Sequence, residues 1–467
     1  MQGLRGDDND PHIGKEPVNV ALFGTNGIRG VVNEDMTADM AMQVGKAMGK
    51  YMRGQVAIAN DTRTSAEMIR SAVSAGLMAV GCKVLDLGTM PTPALQYFVK
   101  THDHVSGGVM ITASHNPPEF NGIKCIASDG TEMHKYGEDK IEAMYGQDIP
   151  SNQWNVIGSI ESVLGVADSY VNAVISHVDS GEIRRANLKV VLDCANGAAC
   201  RTTPLLLKKL GVTAVTLNAD PQGEFPGHPS EPTEDNLRDL IMLTRSIKAD
   251  LGIAHDGDAD RTVFVSRKGK YISGDKSLAL ISKSELSKKT GGTVVTPVSS
   301  SSMVEDVVKE AGGTVVYTAV GSPIVARKMM EVDAIFGGEE NGGLIFPEHQ
   351  FCRDGAMTVA KMLECIVKYG PLQKQVDALP VYYVDKRKVP CPNDRKEMLL
   401  SMMKALYSEN RIDATDGLKI FFDDGWVLVR PSGTEPIFRI FSESKDEDAA
   451  VERGQKFEDI AKGFVST

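Results

Sequence analysis

The sequence predicts an α/β protein of three similar tandem domains with mainly parallel, mixed sheets, closed by a smaller C-terminal α+β domain. Three observations carry that prediction. At 467 residues the chain is too long for one hydrophobic core. A pattern of apolar strand, polar loop, amphipathic helix, glycine and second strand recurs at 56–88, 189–218 and 292–321. The switch of apolar spacing from a run to a 3.6-residue period and back is the mark of a βαβ crossover. The last stretch of about ninety residues, a common domain size, abandons that pattern.

Taken in order, residues 1–17 are polar and charged and are expected to be a disordered leader. Domain 1, over 18–165, opens with a glycine-interrupted strand that carries Arg29. In its helix, Ile69, Val73, Leu77 and Val80 share one face. Domains 2 and 3 are expected over 166–270 and 271–378. The last, over 379–467, reads as a strand (382–389), a helix (396–410), a hairpin about Asp423-Asp424-Gly425, a strand (437–444) and a closing helix (446–465).

An apolar content of 42% with 24% charged residues is that of an ordinary globular protein. The seven cysteines are scattered with no C-x-x-C, which suggests neither a disulfide framework nor a zinc site and fits a reducing, cytoplasmic location. No apolar stretch approaches the roughly 18 residues of a membrane span. The net charge of −11 argues against non-specific binding of nucleic acid but leaves room for small anionic substrates at local clusters of Arg and Lys. Oligomeric state is open between monomer and homodimer.

Four loops carry chemistry-bearing residues. In MITASHNPPEFNGIKC (110–125), Ser114 follows an apolar strand and precedes Asn116-Pro117-Pro118, which cannot be helix interior, so its hydroxyl is displayed on a tight loop beside His115. Read alone, it also fits a helix or turn cap. If Asn121-Gly122 is a turn, Lys124 can point back at the serine and could donate and accept a proton, provided partial desolvation lowers its pKa; read alone, it also fits a solvated lysine on a strand. In HDGDADR (255–261), Asp256, Asp258 and Asp260 crowd one loop after a buried strand, an arrangement that needs a cation. Arg261 and Arg267 stand where a calcium loop has glycine and glutamate, so three hard oxygens with room for water and phosphate suit Mg2+. Arg29 and Arg261 can each meet a phosphoryl group.

In IFGGEENGGLIF (335–346), Glu339, Glu340 and Asn341 sit between paired glycines, which suits either sugar hydroxyls or a polar hairpin tip. In VRPSGTEPIFRI (429–440), Arg430, Ser432, Gly433 and Thr434 offer a guanidinium, hydroxyls and backbone amides for a phosphate. Two anion positions around a polyol imply a substrate phosphorylated at one end and reacting at the other.

From about Phe23 to the C-terminus, the order of TASHNPPEFNGIK, DGDADR, GGEENGG and RPSGTEP resembles the α-D-phosphohexomutase family, in wording closest to archaeal members. The resemblance implies four domains around a central cleft, with Ser114 as a phosphoserine that binds Mg2+ together with the three aspartates. It makes Lys124 and His115 acid/base or orienting groups, and Arg29 and Arg261 flanks of the phosphoserine. Glu339 and Asn341 would contact sugar hydroxyls, and Arg430 to Thr434 would grip the distal phosphate. The implied activity interconverts hexose 6-phosphate and hexose 1-phosphate through a hexose 1,6-bisphosphate, with glucosamine phosphate ahead of mannose and glucose phosphates. A Mg2+-dependent sugar-phosphate phosphatase and a non-catalytic phosphosugar sensor are the rivals. Asn341 and Gly343 replace a serine and a histidine found in many relatives, and the loop at Gly321-Ser322-Pro323 lacks their acidic or aromatic residue.

Overall fold

Three of the four sheets repeat one strand order. The structure, a computed structural model, describes residues 22–24, 27–432 and 436–466; the expected leader, and Gly433 and Thr434 of the fourth loop, lie outside the described residues. The first sheet holds β1 (Ile28–Val31), β2 (Gln55–Asn60), β3 (Lys83–Thr89), β4 (Val105–Ile111), β5 (Phe120–Ile126) and β6 (Ile160–Ser162), in the order β1-β5-β4-β2-β3-β6. The second holds β7 (Lys189–Asp193), β8 (Thr213–Leu217), β9 (Leu251–His255), β10 (Thr262–Ser266) and β11 (Tyr271–Ile272), in the order β11-β10-β9-β7-β8. The third holds β12 (Thr293–Pro297), β13 (Thr314–Thr318), β14 (Phe336–Gly338), β15 (Leu344–Phe346) and β16 (Gln350–Arg353), in the order β13-β12-β14-β15-β16. Each therefore has three parallel strands followed by two joined antiparallel. In the first sheet β6 is an added edge, and the outermost antiparallel strand, β1, comes from the start of the chain.

The recurring pattern maps onto the first crossover of each sheet. In the helix Ala66–Ala79 the stripe Ile69, Val73 and Leu77 is buried. Its counterpart Thr203–Leu210 starts with a proline in its first turn and stops at Gly211, whose φ of 73° completes a left-handed cap. The helix Ser302–Glu310 buries Met303, Val304, Val307 and Val308.

One apolar cluster runs from Ala94 through Val190, Leu206 and Ile253 to Val294, Phe336 and Met357, so the second and third sheets share a core. The C-terminal sheet, β17 (Tyr383–Pro390), β18 (Ile412–Asp413), β19 (Leu418–Phe422), β20 (Gly425–Pro431) and β21 (Ile437–Ser444), is antiparallel throughout. It has its own core around Leu418, Val429, Phe438 and Phe457, and meets the third sheet through Val298, Trp426 and Leu428. Among the described residues no helix is long and apolar enough to cross a membrane.

One local expectation is corrected. Asn121 and Gly122 do not form a turn but lie inside β5, paired with Gly30 and Arg29 of β1. A Cβ at Gly122 would fall 2.5 Å from the Ile28 carbonyl oxygen and 2.6 Å from that of Thr112, so this glycine serves close strand approach.

Candidate active site

The loops singled out in the first three sheets occupy one equivalent position. Residues 112–119 join β4 to β5, 256–261 join β9 to β10, and 339–343 join β14 to β15. In every case the last parallel strand hands over to the first antiparallel one. A repeated topology thus presents three different loop chemistries from matching sheet positions, and the contacts below bring them together.

Ser114 is buried with a φ of 52°, a left-handed conformation that costs a non-glycine residue about 1–2 kcal/mol. Its Oγ donates to Asp256 Oδ2 at 3.0 Å, and His115 Nδ1 lies 3.4 Å from the same Oγ. Gly257 lets the acidic loop come this close, since a Cβ there would sit 2.6 Å from the Ser114 carbonyl oxygen. Lys124 reaches the cluster along β5, its Nζ donating to Asp258 Oδ2 at 2.7 Å with Asp260 Oδ2 at 3.5 Å. Thr92 adds its hydroxyl to Asp258 Oδ2 at 2.6 Å.

The three aspartates are buried and their carboxylate oxygens come within 4.8 Å of one another. Burial, with Asp260 and Asp258 adding like charge, pushes the Asp256 carboxyl well up. Burial works the same way on Asp258, but the Lys124 ammonium and the Thr92 hydroxyl outweigh it and hold that carboxyl below the usual range. For Lys124 the balance corrects the sequence expectation: burial favours the neutral amine, yet Asp258 and Asp260 more than offset it, and its pKa goes up. His115 moves the other way. Burial and then Arg261 and Arg29 bring its imidazole down to about 2, so it is neutral near pH 7.

The donor set fits a hard divalent cation. Among the described residues, Asp258 Oδ1 and Asp260 Oδ1 are buried with no hydrogen-bond donor, and all three residues offer carboxylate oxygen. Arg261 lies alongside, its Nε 3.8 Å from both Asp256 Oδ2 and Asp260 Oδ1. Arg29, on β1, donates to Asn116 Oδ1 at 2.8 Å and is therefore held against the serine loop.

The remaining residues connect through a chain of contacts. Glu339 is buried and both its oxygens are engaged, Oε1 by the Gly321 amide at 3.2 Å and Oε2 by Arg353 Nη1 at 3.0 Å. Asn341 turns its Oδ1 back to the Gly343 amide at 3.0 Å, which shapes the loop. Arg430 pairs with Asp416 Oδ2 at 2.7 Å, and that same oxygen accepts from the Val320 amide at 2.9 Å, one residue before Gly321. Arg353 closes the chain on Asp260 Oδ2 at 2.5 Å. The fourth loop is so linked to the acidic loop through the third sheet. Ser432 is buried with its carbonyl accepting from Lys396 Nζ at 2.6 Å.

Sequence reasoning missed Thr92, Arg353 and the trio Asp61, Arg63 and Thr112. Arg63 donates to the carbonyls of Ser114, Asn116, Pro117 and Phe120. The available signal was Asp61-x-Arg63 in the polar loop at the end of β2, the first repeat's counterpart of loops after β7 and β12.

Comparison with known proteins follows this geometry along the chain. Models of phosphoglucomutase/phosphomannomutase α/β/α domains I, II and III match residues 20–150, 168–269 and 273–383, and that of the C-terminal domain matches 387–461. A phosphoglucomutase/phosphomannomutase of Thermococcus kodakarensis is 42% identical over 440 residues, 92% of this chain and 96% of the relative. A probable phosphoglucosamine mutase of Methanopyrus kandleri is 41% identical over 447 residues, 95% of this chain and 98% of the relative. The crystal structure of a phosphoglucomutase/phosphomannomutase family protein from Burkholderia thailandensis superposes with a TM-score of 0.85 at 27% identity, covering 95% of this chain and 97% of the other.

Proposed function

The chain belongs to the phosphoglucomutase/phosphomannomutase family, and from that premise we propose how its loops act on a hexose phosphate. The protein is a phosphohexomutase, an isomerase that moves a phosphoryl group between positions of one sugar. Ser114 is the carrier. The single observation that supports this is its hydroxyl, 3.0 Å from Asp256 within a buried set of three carboxylates.

In the proposed cycle, phospho-Ser114 transfers its phosphoryl group to the free hydroxyl of a hexose 6-phosphate. The bond from Oγ to phosphorus breaks and the bond from the sugar oxygen to phosphorus forms, giving hexose 1,6-bisphosphate. Lys124, kept protonated by Asp258 and Asp260, gives a proton to the departing Oγ and regains one from the sugar hydroxyl. Neutral His115 orients Oγ, while Arg29 and Arg261 meet the equatorial oxygens. A Mg2+ ion held by Asp256, Asp258 and Asp260 with the phosphoserine would supply charge neutralisation at those oxygens. The intermediate turns end for end and its other phosphate returns to Ser114. The cradle from Arg430 to Thr434 grips the distal phosphate at each pass, and Asn341 and the Glu339 loop line the sugar. A separate core in the C-terminal sheet supports a fourth domain that opens to permit the turn.

The favoured substrate is glucosamine 6-phosphate, giving glucosamine 1-phosphate. The likeness to the Methanopyrus relative supports it, and mannose and glucose phosphates share the mechanism, as the name of the Thermococcus relative suggests. Ser114→Ala is expected to abolish both turnover and incorporation of labelled phosphate; intact turnover ends the proposal. Parallel initial rates on glucosamine, mannose and glucose 6-phosphates decide the sugar.

A further inference from the structure

Ser114 sits in a strained backbone conformation with no glycine to ease it, so something must hold it there. Its amide donates to Thr112 Oγ1 at 2.8 Å, and the Thr112 hydroxyl donates in turn to Asp61 Oδ2 at 2.6 Å. Arg63 Nε donates to that same carboxylate oxygen at 3.1 Å, and Arg63 Nη2 donates to the Ser114 carbonyl at 2.9 Å. These four bonds form a closed circuit that enters Ser114 at its N–H and leaves at its C=O. The Arg63 backbone amide tightens it by donating to Asp61 Oδ1 at 2.9 Å.

The other three guanidinium hydrogens are spent on the same loop, reaching the carbonyls of Asn116 at 2.6 Å, Pro117 at 2.6 Å and Phe120 at 2.8 Å. All five N–H donors of Arg63 are thereby used, in a planar fork that lysine cannot reproduce. Asp61, Arg63 and Thr112 are essentially inaccessible to solvent, and none of the three side chains hydrogen-bonds to an aspartate of the acidic loop. Across the boundary with the second sheet, the guanidinium lies 5.1 Å from the Phe225 ring centroid.

We propose that Asp61, Arg63 and Thr112 are positioning residues that lock the backbone of Ser114 on both sides, so that its Oγ returns to one place after each phosphoryl transfer. This rests on the reading of Ser114 as the phosphoryl carrier. The circuit acts on the nucleophile and not on the sugar, so loosening it slows the chemical step without weakening substrate binding. A misplacement of an ångström in such a site costs up to about a hundredfold in rate.

Thr112→Val removes the hydroxyl at nearly constant volume, and Thr112→Ser restores it. With the hexose 6-phosphate turned over fastest, Thr112→Val is expected to lower kcat by about ten- to a hundredfold at little-changed KM, with a lowered melting temperature because the buried Ser114 N–H and Asp61 carboxylate each lose a partner. Thr112→Ser is expected to recover most of the rate. Arg63→Lys, read the same way, covers the case in which the valine variant does not fold. Wild-type kcat in folded Thr112→Val, or a serine variant as slow as the valine one, overturns the proposal. Labelling of wild-type Ser114 from a hexose 1,6-bisphosphate is measured in parallel. Absence of label overturns the carrier reading itself, whereas normal label with full Thr112→Val activity overturns the circuit alone.

Discussion

Arg353 and Asp260 form a buried ion pair, Nη2 to Oδ2 at 2.5 Å, that ties the edge of the third sheet to the acidic loop of the second. The other arm of the guanidinium holds Glu339 at 3.0 Å, so one cation serves two carboxylates, each no more than 3% exposed.

Removing that cation strands both charges in a medium that solvates them poorly. Arg353→Met is expected to cost about 3–5 kcal/mol, read as a lowered urea midpoint. Arg353→Lys should recover only part, because an ammonium cannot address Asp260 and Glu339 with the same fork.

The acidic loop should respond to divalent cation as a stability switch. Asp258 Oδ1 and Asp260 Oδ1 lack donors among the described residues, so Mg2+ that binds only the folded chain should stabilise it by about 2.7 kcal/mol at a hundredfold excess over Kd. Scanning calorimetry with and without Mg2+ measures the shift. Asp256→Asn keeps the shape of the loop but removes one charge, and should lose most of it.

Asp275, in the first turn of the helix Gly274–Lys288, gives a pH dependence of known sign. Burial, with Glu340 adding like charge, pushes its carboxyl up to about 7. Between about pH 4 and 7 the folded chain therefore holds a proton that the unfolded chain has released, and stability falls as pH rises through that window. Asp275→Asn can still accept the Ser301 amide, bonded at 3.0 Å in the parent, without titrating. Its advantage over wild type in urea midpoint should be larger at pH 8 than at pH 5; an equal difference at both would exclude this carboxyl as the source.

Much of the architecture was legible because local signals agreed. The stripe Ile69, Val73 and Leu77 faces a core as its spacing requires, and the hairpin about Asp423-Asp424-Gly425 joins two strands. The loops carrying Ser114 and Asp256 were visible as polar interruptions after apolar strands, and the fold brings them into contact. What stayed hidden was long-range. Nothing local tells that Arg353 spans 93 residues to Asp260, or that Arg63 closes on a loop 51 residues ahead. Lys124 was misread for a related reason. Its neighbour Gly122 looks like turn chemistry, but the glycine is required by β1 packing alongside, and the charge state of the lysine is decided by acids from another sheet.

The separation of Asp260 from its guanidinium also orders events during synthesis. A ribosome that has just added Asp260 has nearly completed the acidic loop, yet must add 93 residues before Arg353 exists. Until then Lys124, already translated, is the nearer counter-charge. The nascent chain therefore carries the acidic loop with Lys124 and Arg261 to face Asp260, and the tighter Arg353 pairing arrives only when β16 leaves the exit tunnel.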